Sequence, residues 1–175
     1  MARRYDPLLS AARTLVTMLL GMCGLGAIAA AAGAPLILAW KPQVLDYLAH
    51  QAGHPLDPRV AGGVALLLLL GAVVLALSVY FLVLLRGIID SVARGETFAA
   101  PNAARLARMG WLAAIVEAVS IPAGAVAFPI NRAIGHDRLE FGLSPGVILL
   151  ALVLFILARV FREGAKMREE LEGTV

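Results

Sequence analysis

The sequence predicts an all-α polytopic membrane protein with four transmembrane helices and short amphipathic helices on the cytoplasmic side. Of its 175 residues, 61% are hydrophobic and only 15% are charged, whereas soluble domains are close to half apolar and a quarter charged. The apolar residues form long uncharged blocks, which is typical of membrane-spanning helices. One polar segment, residues 86–108, interrupts these blocks near the middle of the chain, and a charged tail, residues 162–175, ends it.

The first predicted span covers about residues 14–40. No charged residue lies between Arg13 and Lys41, and a helix of roughly 27 residues is about 40 Å long, enough to cross a bilayer with some tilt. A cleaved signal peptide is the alternative, because a basic leader precedes the apolar run and an alanine-rich stretch follows it. The apolar run continues past that stretch to Trp40, which favours a retained span.

The second span is predicted at about residues 60–85, again without charge. The polar loop before it, residues 41–59, can form a short helix in the membrane interface through its apolar side chains, which are Val44, Leu45, Tyr47 and Leu48. His50, His54 and Asp57 in the same loop are metal-ligand types, but Gly53 and Pro55 interrupt a helix there. A solvated loop is therefore expected rather than a metal site.

The third and fourth spans are predicted at about residues 109–129 and 145–161. Pro122 and Pro129 are expected to kink or end the third span. Pro145 suits the first position of the fourth helix, with Ser144 as its cap. The tail beyond this span is predicted to form a charged amphipathic helix.

The central segment, residues 86–108, is predicted to contain two pieces of helix. Residues 87–93 form a short amphipathic helix that Gly95 stops. A turn at Pro101 then starts a new helix with Asn102 as its N-cap.

The basic residues predict the orientation of the chain. Four spans place both termini and the central segment on one side of the membrane. Eleven of the 15 Lys and Arg residues then lie on that side, and four lie on the other, namely Lys41, Arg59, Arg132 and Arg138. The positive-inside rule makes the richer side cytoplasmic, so we expect a multi-pass protein of the bacterial inner membrane with both termini in the cytoplasm.

Two motifs on this side carry a family resemblance. The first comprises Arg86-Gly87, Gly95-Glu-Thr-Phe98, Asn102 and Arg105-Leu-Ala-Arg-Met-Gly110. The second comprises Phe161-Arg-Glu-Gly164-Ala-Lys-Met167-Arg-Glu-Glu170, followed by Thr174-Val175. Together they resemble the family called domain of unknown function 2975, which consists of small prokaryotic four-span membrane proteins. The chain departs from the pattern at Ala100-Pro101, where an acidic residue is expected.

The resemblance implies a type of partner but no activity. The family has no established function, and its members are often encoded beside a short helix-turn-helix regulator, which implies a partnership with a DNA-binding protein. The candidate partner-binding residues are those of the two motifs, namely Arg86, Gly95, Phe98, Asn102, Arg105, Phe161, Arg162 and Gly164. The alternatives are that the central segment and the tail only dock on each other, or that their arginines contact anionic lipid.

Glu117 is the one ionisable residue well inside a predicted span. A charge at that depth costs a few kcal/mol, so the side chain is expected to face other helices and to be paired or protonated. It is either an ion-responsive site or a neutral acid hydrogen-bonded to a hydroxyl such as Ser120 or Ser78. A third possibility is that Glu117 lies closer to the membrane surface, about two turns beyond Arg108.

No reaction chemistry is evident in the sequence. It contains no nucleophile elbow, phosphate-binding loop or zinc-binding helix motif, and the single Cys23 allows no internal disulfide. We therefore expect no enzyme, no metal, no cofactor and no direct nucleic-acid binding. Small residues at helix-packing spacing indicate close packing within the chain or a homo-oligomer; they are Gly26, Ala30, Gly33, Gly62, Gly63 and Gly71.

Two functions fit these observations. The first is a regulatory platform that binds a small helix-turn-helix transcription regulator at the cytoplasmic face. The alternative is a small oligomeric transporter or ion-responsive membrane protein that uses Glu117.

Overall fold

The computed structural model describes residues 7–134 and 143–172, and these residues form five α-helices. They are α1 (Pro7–Ala39), α2 (Lys41–Ala52), α3 (Arg59–Ala93), α4 (Ala100–Ile134) and α5 (Pro145–Glu172). Each of α1, α3, α4 and α5 is long and apolar enough to cross a membrane. The predicted all-α polytopic fold with four membrane spans is therefore confirmed. The chain is an integral membrane protein.

The helices continue beyond the predicted ends of the spans. Residues 87–93 are the last turns of α3, so the prediction of a separate short helix there is wrong. The tail likewise continues α5 as far as Glu172, and the central segment's second helix is the start of α4. Helical hydrogen bonds are local, and neither the loss of hydrophobicity nor the lone Gly87 is enough to break them.

Pro122 and Pro129 lie inside α4 and do not end it. Of the two expected outcomes, an end of the helix is wrong, and a kink stays a prediction. A proline removes one backbone donor from a helix, but membrane helices tolerate this loss when neighbouring groups satisfy the freed carbonyl.

The short helix predicted after the first span is present as α2. It contains the four apolar residues that indicated it, and it ends at Gly53. Gly53 has a φ of 73°, and its N–H donates to the carbonyl oxygen of Ala49. A left-handed glycine of this kind is a common helix terminator.

The chain divides into two compact units. The first unit contains Leu77–Ile115, together with the described residues of Met1–Cys23 and Pro145–Val175. The second unit contains Gly24–Ala76 and the described residues of Val116–Ser144.

The core of the first unit lies among the end of α3, the start of α4 and α5. It consists of six buried apolar residues, namely Leu84, Leu106, Met109, Leu112, Leu154 and Ala158. Gly110 of α4 lies directly against the ring of Phe155, since a Cβ at Gly110 would be 3.0 Å from Phe155 Cε1. The ring of Phe155 also meets Trp111 edge-on, at a centroid distance of 5.5 Å.

The second unit is packed through small residues. Its buried side chains include Ala61, Ala65 and Ala127, and a Cβ at Gly63 would lie 2.7 Å from Ile130 Cδ1. Small residues let membrane helices approach closely. Gly26 and Gly33 of α1 contact leucines of α3 in the same way, whereas Gly62 and Gly71 have open space beside them.

The outer faces of the four long helices are apolar. Large exposed hydrophobic side chains include Leu25 on α1, Leu69 on α3, Phe128 on α4 and Leu149 on α5. Such a surface is unsuited to water, and its position on membrane-spanning helices indicates contact with the lipid bilayer.

Candidate functional site

The central segment is built around the connection between α3 and α4, residues 94–99. Gly95 has a φ of 81°, a left-handed conformation that favours glycine. Its N–H donates to the carbonyl oxygen of Val92 at 2.9 Å, and the N–H of Glu96 donates to that of Ser91 at 3.1 Å. The prediction that Gly95 stops the helix is confirmed.

Asn102 holds this connection in place through hydrogen bonds of its buried side chain. Its side chain is fully buried, and Nδ2 is the donor to Ser91 Oγ at 2.9 Å, to the Thr97 carbonyl at 3.1 Å and to the Glu96 carbonyl at 3.2 Å. The hydroxyl of Ser91, also buried, donates to the same Glu96 carbonyl at 2.9 Å. The buried amide therefore binds two backbone carbonyls of the turn and the buried hydroxyl of Ser91.

The sequence indicated that Asn102 is the N-cap of α4, and this prediction is wrong. The helix begins at Ala100, and the backbone N–H of Asn102 already donates to the carbonyl oxygen of Ala99. The side chain reaches back to the connection and to α3 instead. We refer to Ser91, Asn102 and Arg105 as the polar joint.

Arg105 ties the polar joint to α3. Its Nη1 donates to Asn102 Oδ1 at 2.8 Å and to the carbonyl oxygen of Gly87 at 3.1 Å. A Cβ at Gly87 would lie 3.1 Å from Arg105 Nε. The glycine thus leaves room for the guanidinium to lie against the backbone of α3.

Phe98 packs the connection against α5, and we refer to Phe98, Phe161 and Gly164 as the dock. Its ring lies 5.3 Å from that of Phe161 at an interplanar angle of 43°, an arrangement that aromatic pairs favour. A Cβ at Gly164 would lie 2.8 Å from Phe98 Cδ1, so the ring rests on the bare backbone of α5. Even so, 45% of the Phe98 surface stays exposed.

The first unit also carries several charged residues. Arg13 and Asp90 are 3.6 Å apart, and two further pairs join Arg94 to Glu96 and Lys166 to Glu163. Two of the pairs are exposed and Asp90 of the third is partly exposed, and ion pairs so close to solvent contribute little to stability. Several other cations form no ion pair within the described residues, namely Arg86, Arg108, Arg159 and Arg162. The positive charge of these four arginines is therefore not neutralised by carboxylates of the described residues.

The predicted partner-binding residues thus fall into three groups. Asn102 and Arg105 belong to the interior of the joint, and Phe98, Phe161 and Gly164 form the dock. The surface is left to Gly95, Arg162 and the half-buried Arg86. The sequence reading missed Ser91, because no pattern marks a serine whose partner lies beyond a turn.

Glu117 lies in the interior of the second unit, with 8% of its surface exposed. Its Oε1 accepts the backbone N–H of Ser144, the residue before α5. The hydroxyl of Ser120 donates to the main-chain carbonyl of Glu117 at 2.7 Å rather than to its carboxyl group. The expected hydroxyl partner is therefore wrong for Ser120, and a backbone donor is found instead.

The two loop histidines line one open cleft at the end of α2. His50 lies on α2, whereas His54 follows the terminating Gly53, and its Nδ1 lies 3.2 Å from the carbonyl oxygen of Pro55. Asp57 Oδ1 accepts the backbone N–H of Arg59 at 2.7 Å and so caps α3. An open cleft of about 530 Å³ lies beside both histidines, and within the described residues no three metal-ligating side chains come together.

Comparison with known proteins gives one match. A family model described as "Protein of unknown function (DUF2975)" matches residues 47–175, a region that includes the polar joint, the dock and Glu117. No curated protein and no solved structure matches the chain.

Proposed function

Since this chain belongs to the DUF2975 family, whose function is unknown, we propose that it is a regulatory platform in the bacterial inner membrane. The platform binds a small helix-turn-helix transcription regulator at its cytoplasmic face. The binding surface consists of the 94–99 connection and the part of α5 that follows Arg159. No catalytic reaction, metal or cofactor is part of this function.

The single observation that carries the proposal is the state of Phe98. This large aromatic side chain lies outside the apolar spans and is fixed in place by Phe161 and Gly164, yet it remains almost half exposed. A rigid aromatic side chain beside arginines is the composition of protein-binding hot spots. Anionic lipid, in contrast, is recognised by charge alone and needs no exposed ring.

The charges around Phe98 favour an acidic surface on the partner. Arg162 is exposed and forms no ion pair within the described chain. A complementary negative patch would speed association and exclude wrong partners. The cytoplasmic placement itself depends on the distribution of basic residues between the two sides of the membrane.

Reversing one charge on the proposed surface is expected to abolish most of the binding. In Arg162→Glu, a partner carboxylate would meet a like charge, and we expect recovery of the regulator to fall about tenfold or more. The measurement is the yield of soluble proteins that copurify with the tagged membrane protein from native membranes, identified by mass spectrometry.

Arg132→Glu is the matched control. Arg132 is also an exposed arginine, but it lies near the other end of α4, so this variant should recover as much regulator as the wild type. The proposal is wrong if the wild type recovers no helix-turn-helix protein. It is also wrong if Arg162→Glu recovers the same amount as Arg132→Glu.

A further inference from the structure

Two exposed arginines lie at the borders of the uncharged parts of α4 and α5. Arg108 and Arg159 form no ion pair within the described residues. Residues 109–116 follow Arg108 without a charge, and residues 145–158 precede Arg159 without one. An arginine at such a border keeps its charged group at the membrane surface. The charge of both side chains is therefore available to a ligand from the lipid headgroup layer.

Both arginines lie toward the same end of the first unit. The dock and the contact between Gly110 and Phe155 show that α4 and α5 run in opposite directions. Positions before Gly110 and positions after Phe155 therefore lie on the same side of this contact. At 1.5 Å per residue, Arg108 is about 3 Å and Arg159 about 6 Å beyond it along the helix axes.

An exposed tryptophan lies where the two helices meet. Trp111 is 65% exposed, and its ring meets that of Phe155 edge-on. Arg108 precedes Trp111 by three residues and Arg159 follows Phe155 by four, spacings that place side chains on one face of a helix. The two arginines therefore adjoin the same aromatic pair, one from each helix. An exposed tryptophan on a membrane helix is typical of the headgroup level, where its N–H meets polar groups.

The same faces of α4 and α5 are apolar on the other side of the aromatic pair. Ile115 lies one turn beyond Trp111 on α4, and Leu152 lies one turn before Phe155 on α5. Both side chains are exposed. A free phosphate ion would use only the arginines, and a neutral lipid would use only the apolar side chains. An anionic phospholipid uses both, as in the basic pockets between membrane helices that bind charged headgroups.

We propose that α4 and α5 form a binding site for one anionic phospholipid. Its phosphate binds Arg108 and Arg159, and one of its acyl chains lies along Ile115 and Leu152. Trp111 lies between these two parts of the site, at the level where the chains join the headgroup. The proposed regulator-binding surface contains neither arginine, so the lipid site does not depend on that function.

Quenching of Trp111 fluorescence by brominated lipids tests this site. The chain has two tryptophans, and Trp40→Phe leaves Trp111 as the only one; Trp40 is itself exposed. The full-length protein is reconstituted in phosphatidylcholine vesicles with a minor fraction of phosphatidylglycerol, and either lipid carries bromine on its acyl chains. Each arginine contributes about fivefold to the affinity for an anionic headgroup. We therefore expect phosphatidylglycerol to bind beside Trp111 about tenfold or more in preference to phosphatidylcholine.

Removal of either arginine should lower this preference about fivefold. Arg108→Gln and Arg159→Gln are measured separately in the Trp40→Phe protein, and if one of them does not fold, the other decides. Arg94→Gln is the matched control, because Arg94 is an exposed arginine of the 94–99 connection. Its replacement removes the same charge and should leave the preference unchanged.

Three results would overturn the lipid site. Equal quenching by the two brominated lipids would show that Trp111 meets only bulk lipid. An equal loss of preference in Arg94→Gln would show that overall charge, and not a site, attracts phosphatidylglycerol. Quenching by neither lipid would show that another protein surface covers Trp111. Since no regulator is in the sample, failure of the proposed binding function does not affect this result.

Discussion

Replacement of Asn102 by leucine is expected to destabilise the folded protein by about 3 kcal/mol. Leucine has a similar size but leaves the buried Ser91 hydroxyl and the Thr97 carbonyl without their side-chain donor, and it takes an acceptor from Arg105. A buried polar group that loses its partner costs about 1–3 kcal/mol. The joint contains several such groups, so the loss should exceed that of an ordinary surface substitution.

Unfolding in mixed micelles titrated with a denaturing detergent measures this change in free energy. Gln43→Leu is the control, because Gln43 is an exposed side-chain amide on α2. Its substitution should change the unfolding free energy by less than about 0.5 kcal/mol. Equal stability of the Asn102 and Gln43 variants would mean that the polar joint does not hold the connection.

Replacement of Gly110 by valine is expected to cost about 3 kcal/mol or more. The first added carbon would lie 3.0–3.1 Å from three atoms of the Phe155 ring, and a valine adds two further methyl groups. A ring packed between helices does not yield as a flexible side-chain end does. The expected result is separation of α4 from α5 and a lower unfolding temperature.

Two comparisons test whether the contact with the Phe155 ring causes this loss of stability. Gly21→Val serves as the control, because Gly21 is exposed on α1 and has nothing within 4 Å of an added Cβ. In a Phe155→Ala background the ring is absent, so Gly110→Val should cost much less than in the wild type. Additive losses in the double variant would show that the helices do not meet at this pair.

The spans could be predicted from the sequence because charge is expensive in hydrocarbon. The uncharged runs between Arg13 and Lys41 and between Arg59 and Arg86 therefore mark membrane helices. α3 contains the second run, and α1 contains all of the first except Trp40. The ends of the helices could not be predicted in the same way. A helix ends where its backbone ladder is broken, as at Gly95, and not where the bilayer ends.

The candidate site, too, could be predicted only in part. The motif residues could be selected from the sequence, but the role of Asn102 depends on a turn that returns it to Ser91, 11 residues earlier. The partner of Glu117 was also beyond prediction, since Ser144 lies 27 residues away and meets it only through folding. Local signals such as a cap or a terminating glycine do not contain such distant pairings.

The structure shows how the motif residues hold the 94–99 connection in place. Asn102 and Arg105 fix the connection to α3 and α4, and Phe98 fixes it to α5. Under the proposed function, these contacts hold the surface in place before the partner binds, which lowers the entropic cost of binding. Under the proposed function, the motifs build the platform, and the exposed ring edge and arginines contact the regulator.

Site-specific photocrosslinking in living cells tests the proposed platform most directly. A photoreactive residue is placed at position 100 or 167, both exposed beside the dock, and at position 132 near the other end of α4. We predict that positions 100 and 167 capture a soluble helix-turn-helix protein and that position 132 does not. Capture of lipid alone at positions 100 and 167, or of the regulator only at position 132, would contradict the account.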